Sequence, residues 1–214
     1  MSLISERGKS VYNWLFPYAS YWLNIRRELE GCETVLDLGC GKRSAVEMAP
    51  WIRYSLGVDA HEESINACRR KGIHSEYFLG NLFELDAGAG AFDAVIATDV
   101  IEHMDRNRGE ALLEKMEYWS SKKVIVTTPN GWLPQGAKEQ NPLQRHLCAW
   151  RADDFTTRGY IVYGLNGLKW FRKSEADIRW RPRLFWRLVS DLSQILARSR
   201  PGLAFHLLAV REKS

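Results

Sequence analysis

Val35-Leu36-Asp37-Leu38-Gly39-Cys40-Gly41, followed by Gly57-Val58-Asp59, decides the fold. Val35, Leu36 and Leu38 make a short apolar run that reads as a strand buried on both faces, and the glycines after it let the chain turn sharply and a ligand approach the backbone. Asp59 lies 20 positions beyond Gly39, at the end of the next predicted strand. A carboxylate there accepts hydrogen bonds from ribose hydroxyls. The pattern therefore predicts a nucleotide-type cofactor. Ser44 stands where a dinucleotide GxGxxG loop has its third glycine, so the loop alone leaves open which cofactor it takes.

Outward from this segment, apolar runs alternate with helical patterns. Strands are predicted at 34–38, 55–58, 76–79, 92–98, 123–128, 160–164 and 204–211, and helices at 62–71, 107–119, 152–158 and 183–198. This alternation predicts an α/β fold, a doubly wound Rossmann-like seven-stranded sheet with its ligand at the carboxyl ends of the strands. We read the chain as one domain, with an aromatic helix region at 1–30, a cofactor-binding half at 31–129 and an acceptor-side half at 130–214. Trp14, Phe16, Tyr18, Tyr21 and Trp22 fall in a predicted helix over 12–29, either beside the cofactor mouth or simply in the core. Residues 130–150 carry Gly131, Pro134, Gly136 and Pro142 without a clear period and predict a long loop over the sheet edge.

Composition bounds the class of protein. The 214 residues suffice to bury a real core, and no stretch approaches the roughly 20 apolar residues of a membrane span. The N-terminus lacks an uninterrupted apolar segment of signal-peptide type, so the expected location is cytoplasmic. Cys32, Cys40, Cys68 and Cys148 form no CxxC pair, and reduced, mostly buried thiols are expected. The formal net charge of +4 is unevenly placed: between Leu168 and Arg200 nine basic residues stand against three acidic ones.

The strings VLDLGCG, GVDAHEESI, GNLFELD, FDAVIATDVIEHM and VIVTTPNG, in this order, resemble the successive motifs of class I S-adenosylmethionine-dependent methyltransferases, over residues 30–165. The resemblance implies a mostly parallel sheet whose last strand is antiparallel, with S-adenosylmethionine as cofactor. It implies that Asp37 holds the cofactor's ammonium, directly or through water, while the backbone from Gly39 through Cys40 to Gly41 lies against the methionine and ribose. Asp59 would take the ribose hydroxyls, Ala60 or His61 would flank the adenine, and Asn81 with Leu82 would meet its edge. Asn81 replaces the aspartate usual in the family. Asp99 would end the fourth strand near the sulfonium. As an alternative, each carboxylate reads as a strand-end cap or solvated turn residue.

The acceptor side carries two candidate bases. Asp99-Val100-Ile101-Glu102-His103 resembles the segment after the fourth strand in small-molecule methyltransferases, and a helical turn there would put Asp99, Glu102 and His103 on one face. His103 is then a candidate general base, and His146, in the predicted loop, is the second. The main reading assigns no metal. An alternative gathers Asp99, Glu102, His103 and His146 around a divalent ion, similar to the small-RNA terminal 2′-O-methyltransferases of the HEN family. Against that likeness, Asp99 replaces a glutamate and the loop lacks a second histidine. The stretch from TTPNGWLPQ to GYIVYGLNGL is similar to bacterial and archaeal methyltransferases of glycan or lipid-linked pathways.

The expected function is therefore O-methylation of a small molecule or a glycan or lipid-linked precursor. The rivals are RNA 2′-O-methylation and a non-catalytic cofactor- or partner-binding domain. Helix 183–198 is expected to pack its apolar side on the sheet. The basic aromatic stretch 168–187 is suited to contact with the inner membrane surface, to single-stranded RNA, or to a solvated face with snorkelling stems. A monomer or a homodimer fits equally.

Overall fold

The computed structural model describes residues 18–136 and 141–213. Trp14 and Phe16 lie outside them. Strands β1 (Thr34–Leu38), β2 (Tyr54–Asp59), β3 (Glu76–Leu79), β4 (Phe92–Thr98), β5 (Ser120–Pro129), β6 (Ile161–Leu168) and β7 (Ala204–Glu212) form one sheet in the order β3-β2-β1-β4-β5-β7-β6. β1 to β5 pair in parallel, and β7 runs antiparallel between β5 and β6. This is the Rossmann-like seven-stranded sheet expected, mostly parallel with an antiparallel last strand.

Alternation along the central strands builds a core on each face. Val95, Ala97, Val124, Val126, Leu207 and Ala209 point to one side, against α3 (Arg106–Trp119) and α4 (Ala152–Thr156). Ala94, Ile96, Ile125, Leu208 and Val210 point to the other, where Ile25 and Leu29 from α1 (Tyr21–Glu28) and the turn after it cover them. α2 (Glu62–Arg70) packs Ile65 and Cys68 against the outer strands near Cys40. His61 caps α2, its Nδ1 accepting the Ser64 N–H, and Asp105 caps α3 through the Arg108 N–H.

Two expectations are corrected. The described part of the 130–150 segment, residues 130–136 and 141–150, lies not over the sheet edge but against the turn after the central strand β4: the Leu147 N–H donates to the Glu102 carbonyl and Trp150 Nε1 to the Ile101 carbonyl. Loop backbone needs partners once buried, and that turn offers carbonyls that no strand uses.

The second correction concerns 183–198, which forms α5 (Arg183–Leu192) and α6 (Gln194–Ser199). Its apolar side faces outward, and the residues it buries on edge strand β6 are Ser190, Asp191, Gln194 and Ala197. Gln194 Oε1 accepts the Gly167 N–H at 2.6 Å and its Nε2 donates to the Gly164 carbonyl at 2.7 Å, while Arg172 bonds both Ser190 Oγ and Asp191. Glycines make the approach close enough for these bonds. A Cβ on Gly164 would stand 2.1 Å from the Ala197 carbonyl oxygen. Gly164→Ala is expected to push α6 off β6 and to lower stability by about 1–3 kcal/mol, as overpacking does. Urea unfolding checks this, and an unchanged midpoint would contradict the packing.

Candidate active site

The turn after β1 builds the first wall. Gly39 and Gly41 sit at φ +67° and +56°, where only glycine is unstrained. The space spared at Gly39 is taken by Val100, whose Cγ2 would be 2.5 Å from an added Cβ. The Gly41 N–H donates to Asp59 Oδ2 and the His61 N–H to Asp59 Oδ1, both at 2.8 Å. Burial raises the Asp59 carboxyl above its ordinary value, opposed by these two N–H donors. Each Asp59 oxygen keeps acceptor capacity toward the cavity.

That cavity has a volume of about 490 Å³ and opens at the carboxyl ends of β1, β2 and β4. Gly39, Cys40, Gly41, Asp59, Ala60, Asn81, Leu82 and Asp99, eight of the nine expected cofactor residues, line it together with His103. The Asn81 amide oxygen accepts the Phe83 N–H, which turns the chain back beneath the cavity floor. Sequence reasoning missed other lining residues, among them Arg43, Phe83, Met104 and Arg108; nothing in their local pattern marks them.

Asp37 is the ninth, and it lies behind the glycine loop instead. Its buried carboxylate faces His74 Nε2 at 3.4 Å. Burial pulls the His74 imidazole down, but Asp37 and Cys68 outweigh it and hold its pKa at about 9. Cys40 donates to Cys68 and, against the effect of burial, brings that thiol down to about 6 with His74 helping; Cys40 itself is pushed up. The ring fits because Gly57 has no side chain: a Cβ there would be 2.5 Å from His74 Cδ2. No spacing rule links residues 40, 68 and 74, so this buried cluster was invisible to the sequence.

The second wall is the end of β4. Asp99, non-glycine at φ 55°, accepts the Tyr21 hydroxyl at 3.1 Å on Oδ2 and faces His206 Nε2 at 3.5 Å with Oδ1. Thr127 Oγ1 joins both Tyr21 and Asp99. Strained backbone of this kind marks functional sites. Asn166 Nδ2 donates to His206 Nδ1, so the ring proton sits on Nε2. Burial lowers the His206 pKa and keeps the ring neutral. Tyr21, Thr127 and His206 come from α1, β5 and β7, and only Tyr21 had been marked, as part of an aromatic helix.

One turn further on, Glu102 is buried, with Thr128 Oγ1 donating to Oε2 and Oε1 without a hydrogen-bond partner. Ligand atoms of Glu102, His103 and His146 lie within 4.8 Å of one another. His103 Nδ1 is 3.1 Å from the Arg145 carbonyl and His146 Nδ1 is 2.6 Å from the Leu133 carbonyl. A carbonyl only accepts, so each Nδ1 carries the proton and each Nε2 the lone pair. This oxygen and nitrogen donor set suits a divalent ion such as magnesium, manganese or iron. Asp99, the fourth member expected for such a site, is turned toward Tyr21 and His206 and is outside the cluster. His103 reaches the cavity wall; His146 sits behind it, ring centroids 4.9 Å apart.

Comparison with known proteins agrees with the geometry. Residues 35–121 match the family described as methyltransferase domain. That match runs from β1 to the start of β5, the half of the sheet where the cofactor cavity lies. The match supports S-adenosylmethionine as the cofactor, which the sequence motifs also implied. A S-adenosylmethionine-dependent methyltransferase from Archaeoglobus fulgidus shares the fold with 18% identity and a TM-score of 0.55, over 96% of this chain and 99% of that one. The methyltransferase domain of a bacterial Hen1 does so with 20% identity and 0.55, over 90% and 97%. Magnesium protoporphyrin IX methyltransferase from Synechocystis, with S-adenosylmethionine bound, does so with 16% identity and 0.51, over 96% and 77%. No curated protein matches the sequence.

The site predicts a pH signature. Burial, then the nearby Asp99 carboxylate, raises the Glu102 pKa well above its ordinary value. The folded state keeps a proton that the unfolded chain loses above about pH 4.3, so stability falls as pH rises from there toward the folded pKa. In metal-free buffer Glu102→Gln is expected to flatten that fall and to be the more stable protein at pH 8. Chemical denaturation at several pH values tests this, and parallel curves for the two proteins would refute the buried neutral acid.

Proposed function

We propose that the protein transfers a methyl group from S-adenosylmethionine to an oxygen of a small molecule or of a glycan or lipid-linked precursor. The observation that carries the reading is His103, on the wall of the cofactor cavity with Nδ1 bonded to the Arg145 carbonyl and a basic Nε2. When bound, S-adenosylmethionine supplies an electrophilic methyl group that needs only in-line positioning and a deprotonated acceptor. The residues at hand fit that cofactor. Asp59 offers acceptor oxygens to vicinal hydroxyls, the Gly39 to Gly41 turn leaves the backbone uncovered, and Leu82, Phe83 and Met104 give an apolar surface for a flat base.

His103 Nε2 takes the proton of the acceptor hydroxyl as that oxygen bonds the methyl carbon and the carbon–sulfur bond breaks, so S-adenosylhomocysteine leaves. A second cavity of about 540 Å³ supports a bulky acceptor. Pro129, Trp132, Leu133, Trp170, Arg172 and Arg179 are among its lining residues, and Leu133 is the residue whose carbonyl fixes His146.

The Glu102, His103 and His146 cluster favours a second reading, metal-assisted 2′-O-methylation of RNA, in which those three residues would hold the ion and the ion would lower the acceptor pKa. The bacterial Hen1 methyltransferase domain shares the fold. Asp99, turned away from that cluster, supports the metal-free reading.

Calorimetry with S-adenosylhomocysteine should give saturable binding that Asp59→Ala weakens by about tenfold or more, the effect of losing a charged hydrogen-bond acceptor. His103→Ala should leave that binding unchanged and lower kcat about 100-fold or more, the usual contribution of a general base. Absence of S-adenosylhomocysteine binding to the wild type would overturn the cofactor assignment. Manganese binding that His146→Ala abolishes, together with manganese-dependent turnover, would replace the metal-free reading by the RNA one.

A further inference from the structure

The outward face of α5 and α6 is an apolar stripe without a partner among the described residues. Leu184, Leu188, Leu192, Ile195 and Leu196 with Phe185 fall within an arc of about 120° at the helical 100° per residue. Leu184 is 74% and Ile195 73% exposed, and the other four are exposed as well. Six large apolar side chains on one face exceed the scattered exposure normal for a protein surface and mark an interaction site. The inverted packing fixes them there, because Gln194, Ser190 and Asp191 are fastened to β6 and Arg172 on the opposite side.

The rim of the stripe is cationic and aromatic. Lys169, Lys173, Arg179, Arg181 and Arg183 are exposed around it, and Trp170 and Trp180 are exposed beside them. Phe171, Trp180, Trp186 and Phe185 form a continuous ring cluster, with centroids 4.8–5.9 Å apart, that ties the 169–181 segment to the start of α5. Stripe, tryptophans and cations thus belong to one rigid surface. From Leu168 to Arg200 the excess of basic residues is six.

We propose that this surface docks on an anionic lipid bilayer, with α5 and α6 lying in the interfacial plane, the apolar stripe buried among acyl chains and the basic rim at the headgroups. An amphipathic helix with aliphatic and aromatic residues on one side and arginine and lysine beside them has that preference, and tryptophan adds to it at the interface. A second copy of the chain fits worse, because a two-fold contact through the stripe would bring two cationic rims together. RNA would satisfy the cations but leave the aliphatic stripe in water. No helix among the described residues is long and apolar enough to cross a membrane, so the contact is peripheral. Docking does not depend on the chemistry assigned to the methyl site. Its consequence for the acceptor does rest on that reading: Lys169, Trp170, Lys173 and Arg179 also line the second cavity, so a lipid-linked acceptor would enter directly from the bilayer.

Flotation of the full chain with vesicles decides the matter. The protein should float with phosphatidylserine-rich vesicles at least about tenfold more than with pure phosphatidylcholine, and raised salt should reduce this by screening the rim. The triple variant Leu184→Glu, Leu188→Glu, Ile195→Glu changes exposed side chains only. It should keep the circular dichroism and the S-adenosylhomocysteine binding of the wild type and lose flotation by about tenfold or more. Wild type that stays in the dense fraction, or a triple variant that floats equally well, overturns the proposal. So does a wild-type dimer in sedimentation that the triple variant dissociates, or binding of polyuridylate RNA that the triple variant abolishes while vesicles bind neither protein.

Discussion

The hydrogen bond from the Gly41 N–H to Asp59 Oδ2 is the constraint on which the site depends. It joins the turn after β1 to the end of β2, and the His61 N–H on the other oxygen fixes the start of α2 to the same carboxylate. Three chain segments are thereby positioned by one side chain. The turn can reach Asp59 only because Gly39 and Gly41 adopt a left-handed backbone, and it can sit on the sheet only because Gly39 leaves room for Val100. The Asp37–His74 pair behind the loop adds a buried charge contact that holds β1 against the chain entering β3. A cofactor cavity at this end of the sheet follows from these fixed points.

The other half of the site is built on scarcity of solvent. Glu102 and His146 are buried, and Asp99 is held in strained backbone by Tyr21, Thr127 and His206. Low polarity keeps Glu102 protonated and His206 neutral. The backbone carbonyls of Leu133 and Arg145 set the tautomers of two adjacent imidazoles.

Much of this was legible before the structure. The strand at 34–38 is marked by its apolar run and ended by its glycines, and the strands at 76–79 and 92–98 coincide with β3 and β4 to the residue. The lining residues Gly39, Gly41, Asp59, Ala60, Asn81, Leu82 and Asp99 lie at strand ends, which periodicity locates well. His103 was found because it follows β4 closely. Thr127, His206 and His74 were not found, since each reaches its partner across strands that the chain connects only distantly. The cluster of Cys40, Cys68 and His74 illustrates the same limit: the ligand spacing that identifies such groups in sequence does not exist when three separate elements supply them.

The sequence by itself determined the sheet, the cofactor turn and the strand ends, because those depend on local apolar periodicity and on glycines that no other residue can replace. Tertiary structure alone decided which side of α5 and α6 is buried. The amphipathic pattern of 183–198 pointed its leucines at the core, and as a pattern it was correct. Gly164 and Gly167 on β6 let the helix backbone come so close that Gln194, Ser190 and Asp191 bond there, and the leucines were turned to the outside. Periodicity records that a helix has an apolar face; which surface that face meets depends on contacts between residues far apart in the chain.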